Sequence, residues 1–145
     1  MKQIMVSGNF DPFTFAHLDY IKKASKMGGM PTDNFGNVLV CVVSSDEQVM
    51  MKKGKVNEPE NERREILHLI LKGLEIPHAV FINHFDKYTT LVAETLRKLR
   101  PDVFCRGSDK TIEDMPEEER LACEDYGIKI VHIQSDKIAH GSVFV

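Results

Sequence analysis

The sequence predicts a single-domain α/β protein built on a doubly wound parallel sheet of about five strands, with helices on both faces. Three observations carry this. Short apolar runs rich in Val, Ile and Phe alternate along the chain with segments of helix length. The run Val38-Leu39-Val40-Cys41-Val42-Val43 is apolar throughout instead of alternating, the pattern of a parallel strand covered on both faces. Finally, the first apolar run, Ile4-Met5-Val6, leads through a Gly- and Pro-containing turn into an amphipathic segment, which is strand, turn and helix in the order a right-handed crossover needs.

Each element has its own justification. Strands are expected at 3–6, 38–43, 79–82, 103–105 and 129–133, where the runs are compact and β-branched or aromatic. Helices are expected at 17–27, 60–74, 90–99 and 116–126, between those runs. In the last of them Pro116 suits the first helical position, and Glu117, Glu118 and Glu119 suit the positive end of the helix dipole. Residues 28–37, with Gly28, Gly29 and Gly36 among Asn34 and Asn37, read as an elaborate and mobile surface turn.

The composition narrows the class. With 145 residues, the chain is most simply one domain over 1–145, large enough to bury a core without disulfides or a structural metal. A formal charge of −3 argues against a general nucleic-acid or anionic-membrane binder, since these carry an excess of Lys and Arg. An anionic ligand must therefore meet a local cluster. Cys41, Cys105 and Cys123 are far apart and form no C-x-x-C pair, so buried reduced thiols and a cytoplasmic setting are expected. The N-terminus has no leader-like apolar region, and no window approaches the roughly 20 apolar residues of a membrane span.

In a doubly wound sheet the ligand sits beyond the carboxyl ends of the strands, where the strand order reverses. The segments 7–14, 44–55, 83–89, 106–111 and 134 onward become candidates, and 7–14 opens a helix whose free N–H groups and dipole favour phosphate. His17, in the first turn of that helix, adds a possible donor. No G-x-G-x-x-G follows a strand, and Gly54-Lys55 is followed by Val56, so neither a dinucleotide fingerprint nor a P-loop is present. An H-E-x-x-H motif and a nucleophile elbow are missing as well.

The decapeptide Gly8-Asn9-Phe10-Asp11-Pro12-Phe13-Thr14-Phe15-Ala16-His17 resembles the G-x-F-D-x-x-[HT]-x-G-H signature of the cytidylyltransferase-like nucleotidyltransferases, whose fold is Rossmann-like. Ser44-Ser45-Asp46-Glu47 with Lys52, Lys53 and Lys55 resembles the family's basic loop after the second strand, and Pro59-Glu60-Asn61-Glu62-Arg63 its P-x-x-x-R. Arg100-Pro101-Asp102 and Arg106-Gly107-Ser108-Asp109, flanking a strand, are similar to a segment of heptose-phosphate adenylyltransferases and glycerol-phosphate cytidylyltransferases. Residues 138–142, with His140, Gly141 and Ser142, match the family's late phosphate-binding motif in outline.

The resemblance implies transfer of AMP or CMP from ATP or CTP to a phosphorylated sugar or polyol, with release of pyrophosphate. It implies catalytic roles for Thr14, His17, Lys52 and Lys55. Nucleotide or phosphate binding falls to Gly8, Asn9, Phe10, Asp11, Lys53, Arg63, Arg106, Gly107, Asp109, His140, Gly141 and Ser142. Mg²⁺ would be held mainly through the triphosphate, without a dedicated protein cage. A homodimer is the family's expectation, with neither nucleic acid nor membrane as partner.

Ordinary structural roles compete with these assignments. The ordinary alternatives are a helix-capping or partly buried residue for His17, a turn former for Asp11, a solvated charge run for the lysines, and pairing with Glu60 at i, i+3 spacing for Arg63. Ala16, where the signature has glycine, and the single serine left in the late motif keep a second reading open: a nucleotide-binding or regulatory relative without turnover.

Overall fold

The computed structural model describes residues 1–30, 33–107 and 114–134. Along the chain the elements are β1 (Lys2–Gly8), α1 (Phe15–Ala24), β2 (Asn37–Val43), α2 (Asp46–Lys53), α3 (Glu60–Gly73), β3 (His78–Ile82), α4 (Ala93–Leu99), β4 (Val103–Arg106), α5 (Glu117–Tyr126) and β5 (Lys129–His132). The strands form one parallel sheet in the order β3-β2-β1-β4-β5. Strand order reverses between β1 and β4, and the register Ile4↔Val103, Met5↔Phe104 aligns those two strands there.

Side-chain alternation explains why the central strands are apolar throughout. Ile4, Val6, Leu39, Cys41 and Val43 face one layer, packed on Ile21 and Ala24 of α1 and Leu67 and Leu71 of α3. Met5, Val42 and Phe104 face the other, packed on Leu96 of α4 and Ala122 and Cys123 of α5. Each strand residue thus finds an apolar helix face, whichever way it points. All three cysteines are free and buried, Cys41 and Cys105 in the apolar strand runs and Cys123 on the inner face of α5.

The largest departure from the sequence expectation is α2. Residues 44–55 read as a basic loop, yet residues 46–53 are helical, so Lys52 and Lys53 stand in a last helical turn and only Lys55 lies beyond it. The helix is specified by its ends rather than its face. Ser45 and Gln48 form a reciprocal capping box, Asp46 and Glu47 occupy the first turn, and Gly54, at φ 78°, supplies the left-handed C-cap. Helix α4 begins at Ala93 instead of residue 90, because Leu91 and its neighbours are engaged by other side chains described below. Within the 28–37 turn, Gly28 packs so closely that a Cβ would lie 2.8 Å from both Ile4 Cδ1 and Asn37 Nδ2.

Candidate active site

The β1–α1 turn, residues 8–17, is held from two sides. Gly8 ends β1, and an added Cβ would lie 3.1 Å from the ring of Phe10, which is buried beneath it at a left-handed φ of 50°. Asp11 is buried too, and its carboxylate accepts from the backbone N–H groups of Asn57 at 2.8 Å and Glu58 at 2.7 Å. Its role in the structure is to pin the turn to residues 57–58.

Arg63 pins it from the other side. Its side chain is 0% exposed. Nη1 donates to the carbonyl oxygens of Asn9 (2.9 Å) and Ser44 (2.7 Å), Nε to that of Glu58 (2.8 Å), and Nη2 to the Asp46 carboxylate (2.8 Å). Its carboxylate partner is thus Asp46, not Glu60, which instead accepts from the backbone N–H of Asp46. This guanidinium ties together the ends of β1 and β2 and the start of α3, and does not line the cavity that opens above them.

Thr14 caps α1. Its hydroxyl accepts from the His17 backbone N–H at 3.4 Å, and its own N–H donates to His17 Nδ1 at 3.1 Å. An N–H can donate only to an unprotonated nitrogen, so His17 carries its proton on Nε2. Burial, and then the positive charge of Lys53, hold the His17 pKa below its ordinary value of 6.5. The ring is further fixed edge-on against Phe10, with centroids 5.1 Å apart, and tilted against Phe13 at 5.6 Å. The result is a neutral imidazole, oriented before any ligand arrives, with one N–H to give.

That imidazole lines a cavity of about 430 Å³ at the carboxyl ends of β1 and β4. The cavity therefore lies at the topological switch point, where such sheets take ligands. One wall is the β1–α1 turn, with Gly8, Asn9, Phe10, His17 and Tyr20. Tyr20 donates its hydroxyl to the Cys105 carbonyl at 2.6 Å, and burial raises its pKa. The opposite wall is Thr90, Leu91, Val92, Pro116 and Glu119, from the α4 and α5 side of the sheet. Lys52 from α2 and Arg106 with Gly107 from the end of β4 also line the cavity, and Arg106 is only 8% exposed.

The α4–α5 wall is held by buried polar side chains. Gln48 Nε2 lies within 3.2 Å of the carbonyl oxygens of Asp86, Thr89 and Leu91. The Asp86 carboxylate in turn caps α4 by accepting from the N–H groups of Glu94 and Thr95, and also accepts from the Thr95 hydroxyl. Asn83 joins the same network through Asp86 and Thr95. Residues 89–92 are therefore fixed as loop, leaving Phe85 and Tyr88 exposed on the preceding tip.

Of the residues singled out from sequence, Gly8, Asn9, Phe10, His17, Lys52, Arg106 and Gly107 line one cavity. Thr14 borders it through the cap and itself lies in a shallow groove with Phe13, Phe15 and Leu18. Asp11 and Arg63 support the turn from beneath, and Lys53 acts on His17 through its charge. Lys55 is exposed past the end of α2 and is not among the lining residues. Ala16 is an ordinary helical residue of α1, likewise not among them. Asp109, His140, Gly141 and Ser142 lie outside the described residues. Among the described residues no cluster of three His, Cys, Asp or Glu suits a metal ion.

Sequence reasoning missed Tyr20, Leu91, Val92, Asp114 and Glu119. Glu119 was legible: spacing of three and four residues puts it on the same helix face as Ala122 and Cys123, which are buried. It read as one of three dipole-facing glutamates.

Comparison with known proteins agrees with this geometry. The cytidylyltransferase-like family profile matches residues 5–141. The FAD synthase of Korarchaeum cryptofilum is 30% identical over 132 residues, covering 91% of this chain and 81% of that protein. The bifunctional protein HldE of Campylobacter fetus is 32% identical over 108 residues, covering 74% of this chain but only 20% of that protein. A solved lipopolysaccharide core biosynthesis protein from Thermoplasma volcanium shares the fold, with a TM-score of 0.62 at 24% identity over 94% of this chain and 98% of that one. The family match and these relatives, on a parallel sheet with its cavity at the switch point, make this protein a nucleotidyltransferase. The chain belongs to the cytidylyltransferase-like family.

Proposed function

We propose that this protein transfers the adenylyl group of ATP to the phosphate of a phosphorylated sugar or polyol, releasing pyrophosphate. The observation that carries the reading is the neutral, pre-oriented His17 lining one cavity with Lys52 and Arg106. ATP is favoured over CTP because relatives matched over most of the chain are FAD synthases, whose reaction joins ATP and FMN.

In the reaction an acceptor phosphate oxygen forms a bond to the α-phosphorus in line with the breaking bond to the β-phosphate, and pyrophosphate leaves with the electron pair. The acceptor phosphate is already ionised near neutral pH, so no strong base is required, and positioning and charge stabilisation dominate. Nε2–H of His17 donates to the α- or β-phosphate as charge builds there. Lys52 neutralises the triphosphate, with Lys53 and Lys55 adding positive field, and Arg106 and Gly107 receive nucleotide or pyrophosphate from the β4 side. Thr14 keeps the imidazole in its donor state. Mg²⁺ fits this site through phosphate oxygens and water, given the carboxylate-poor β1–α1 wall, and would share the triphosphate charge.

Purified protein is incubated with Mg²⁺, ATP or CTP, and glycerol 3-phosphate, ribitol 5-phosphate, hexose 1-phosphates or FMN. Acceptor-dependent pyrophosphate release that is lost in His17→Ala supports the reading. Tight ATP binding without release for any acceptor overturns it and leaves a binding protein.

A further inference from the structure

Glu119 is an anomaly in a cavity built for anions. It sits in the first turn of α5, is 7% exposed, and lines the same cavity as Lys52 and Arg106. Its Oε2 accepts the Val92 N–H at 3.0 Å. Oε1 takes part in no hydrogen bond among the described residues. A negative charge at that place is unfavourable beside the polyphosphate the cavity is proposed to take, although Arg106 and Lys52 offset part of it. Burial holds the Glu119 pKa above its ordinary value. A ligand group that donates hydrogen bonds to it and carries no negative charge would remove that cost.

The position identifies which ligand. His17 and α1 lie on one side of the sheet, whereas α4 and α5 pack on the other. In-line transfer places the attacking acceptor oxygen and the leaving pyrophosphate on opposite sides of the α-phosphorus. With the triphosphate against His17, the acceptor faces Leu91, Val92 and Glu119. We infer that Glu119 reads the hydroxyl groups of the acceptor, so that the substrate class is a polyhydroxylated chain ending in phosphate. This rests on the nucleotidyltransferase reading above and assigns its acceptor subsite. The phosphate of such a molecule meets the α-phosphorus beside Lys52, and a hydroxyl a few bonds away donates to Oε1. A phosphorylated polyol, a sugar phosphate and the ribityl phosphate of FMN all present that pairing. An acceptor without hydroxyls does not.

The test compares wild type with Glu119→Gln, which keeps the shape and a carbonyl oxygen for the Val92 N–H while removing the charge. Calorimetric binding of glycerol 3-phosphate, ribitol 5-phosphate and n-propyl phosphate is measured in both, together with binding of ATP and, for each acceptor, KM and kcat. Expected is roughly tenfold weaker binding and higher KM for the two hydroxylated probes, with n-propyl phosphate and ATP unchanged within about twofold. Equal changes for hydroxylated and unhydroxylated probes, tighter binding of all three, or no change overturns the assignment. Failure of wild type to bind either hydroxylated probe overturns it too. Hydroxyl-selective binding without turnover would sink the transferase reading and leave the assignment of Glu119 intact.

Discussion

The backbone N–H of Thr14 donates to Nδ1 of His17, 3.1 Å away. One hydrogen bond thereby caps a helix and selects the tautomer of the residue proposed to contact phosphate. The two roles separate by mutation. Glutamine at the third helical position is a normal capping-box partner. His17→Gln should keep thermal stability within about 0.5 kcal/mol of wild type while lowering kcat about 10² to 10³-fold, the range for loss of one preorganised donor. Equal loss of stability and activity would reduce His17 to a cap.

Protonation should undo the same bond. The native pKa of His17 lies below 6.5 through burial and then the Lys53 charge, so at pH values between the native value and 6.5 the unfolded state holds a proton that the native state lacks. The associated stability is complete above about pH 6.5 and is lost as pH falls from there through the native pKa. Urea midpoints at pH 7.5 and 5.5 should therefore drop more for wild type than for His17→Gln. Lys53→Met should shrink the wild-type drop, because one cause of the shift is gone.

Arg63 is needed by the fold. Removing it leaves the carbonyl oxygens of Asn9 and Ser44 without their buried donor. Arg63→Met should cost about 3 to 5 kcal/mol in denaturant unfolding, typical for breaking a buried charged network. Arg63→Lys should recover little of that, since one ammonium cannot serve Asn9, Ser44, Glu58 and Asp46 at their separate directions. A variant with wild-type stability but weak ATP binding would return Arg63 to the ligand.

The strands and the switch point were legible because both faces of the sheet are apolar and the β1–α1 turn carries a dense residue signature. Helix α2 was not, since its only apolar residues, Val49, Met50 and Met51, are consecutive and make no stripe, and only the S-x-x-Q cap and Gly54 mark its ends. In the site, His17 and Arg106 were legible from their places after β1 and β4. Arg63 read as a phosphate ligand because the arginine of a P-x-x-x-R segment looks the same whether it meets phosphate or backbone carbonyls. Its burial follows from a loop bend at 57–59 that no local pattern encodes.

Gln48 links α2 to the acceptor wall. With its amide held 3.0 Å from the Thr89 carbonyl and 3.2 Å from those of Asp86 and Leu91, it fixes residues 89–92. Gln48→Ala should raise acceptor KM about tenfold, leave ATP affinity within twofold, and lower stability by about 1 to 3 kcal/mol for the orphaned carbonyl groups. Gln48→Glu sets a carboxylate against those oxygens and should be less stable than the alanine variant. Equal effects on ATP and acceptor would show that the loop serves the whole cavity.

The three buried thiols make the protein a clean platform for site-directed labelling. Burial pushes Cys105 up to about 12 and Cys123 up to about 11, and raises Cys41 as well, so all three stay protonated and inaccessible near neutral pH. A maleimide dye added at pH 7 should therefore react with a cysteine introduced at Tyr88, which is 89% exposed, and with little else. Fluorescence from that single position would follow the loop beside the acceptor wall through binding and release without any native cysteine having to be removed.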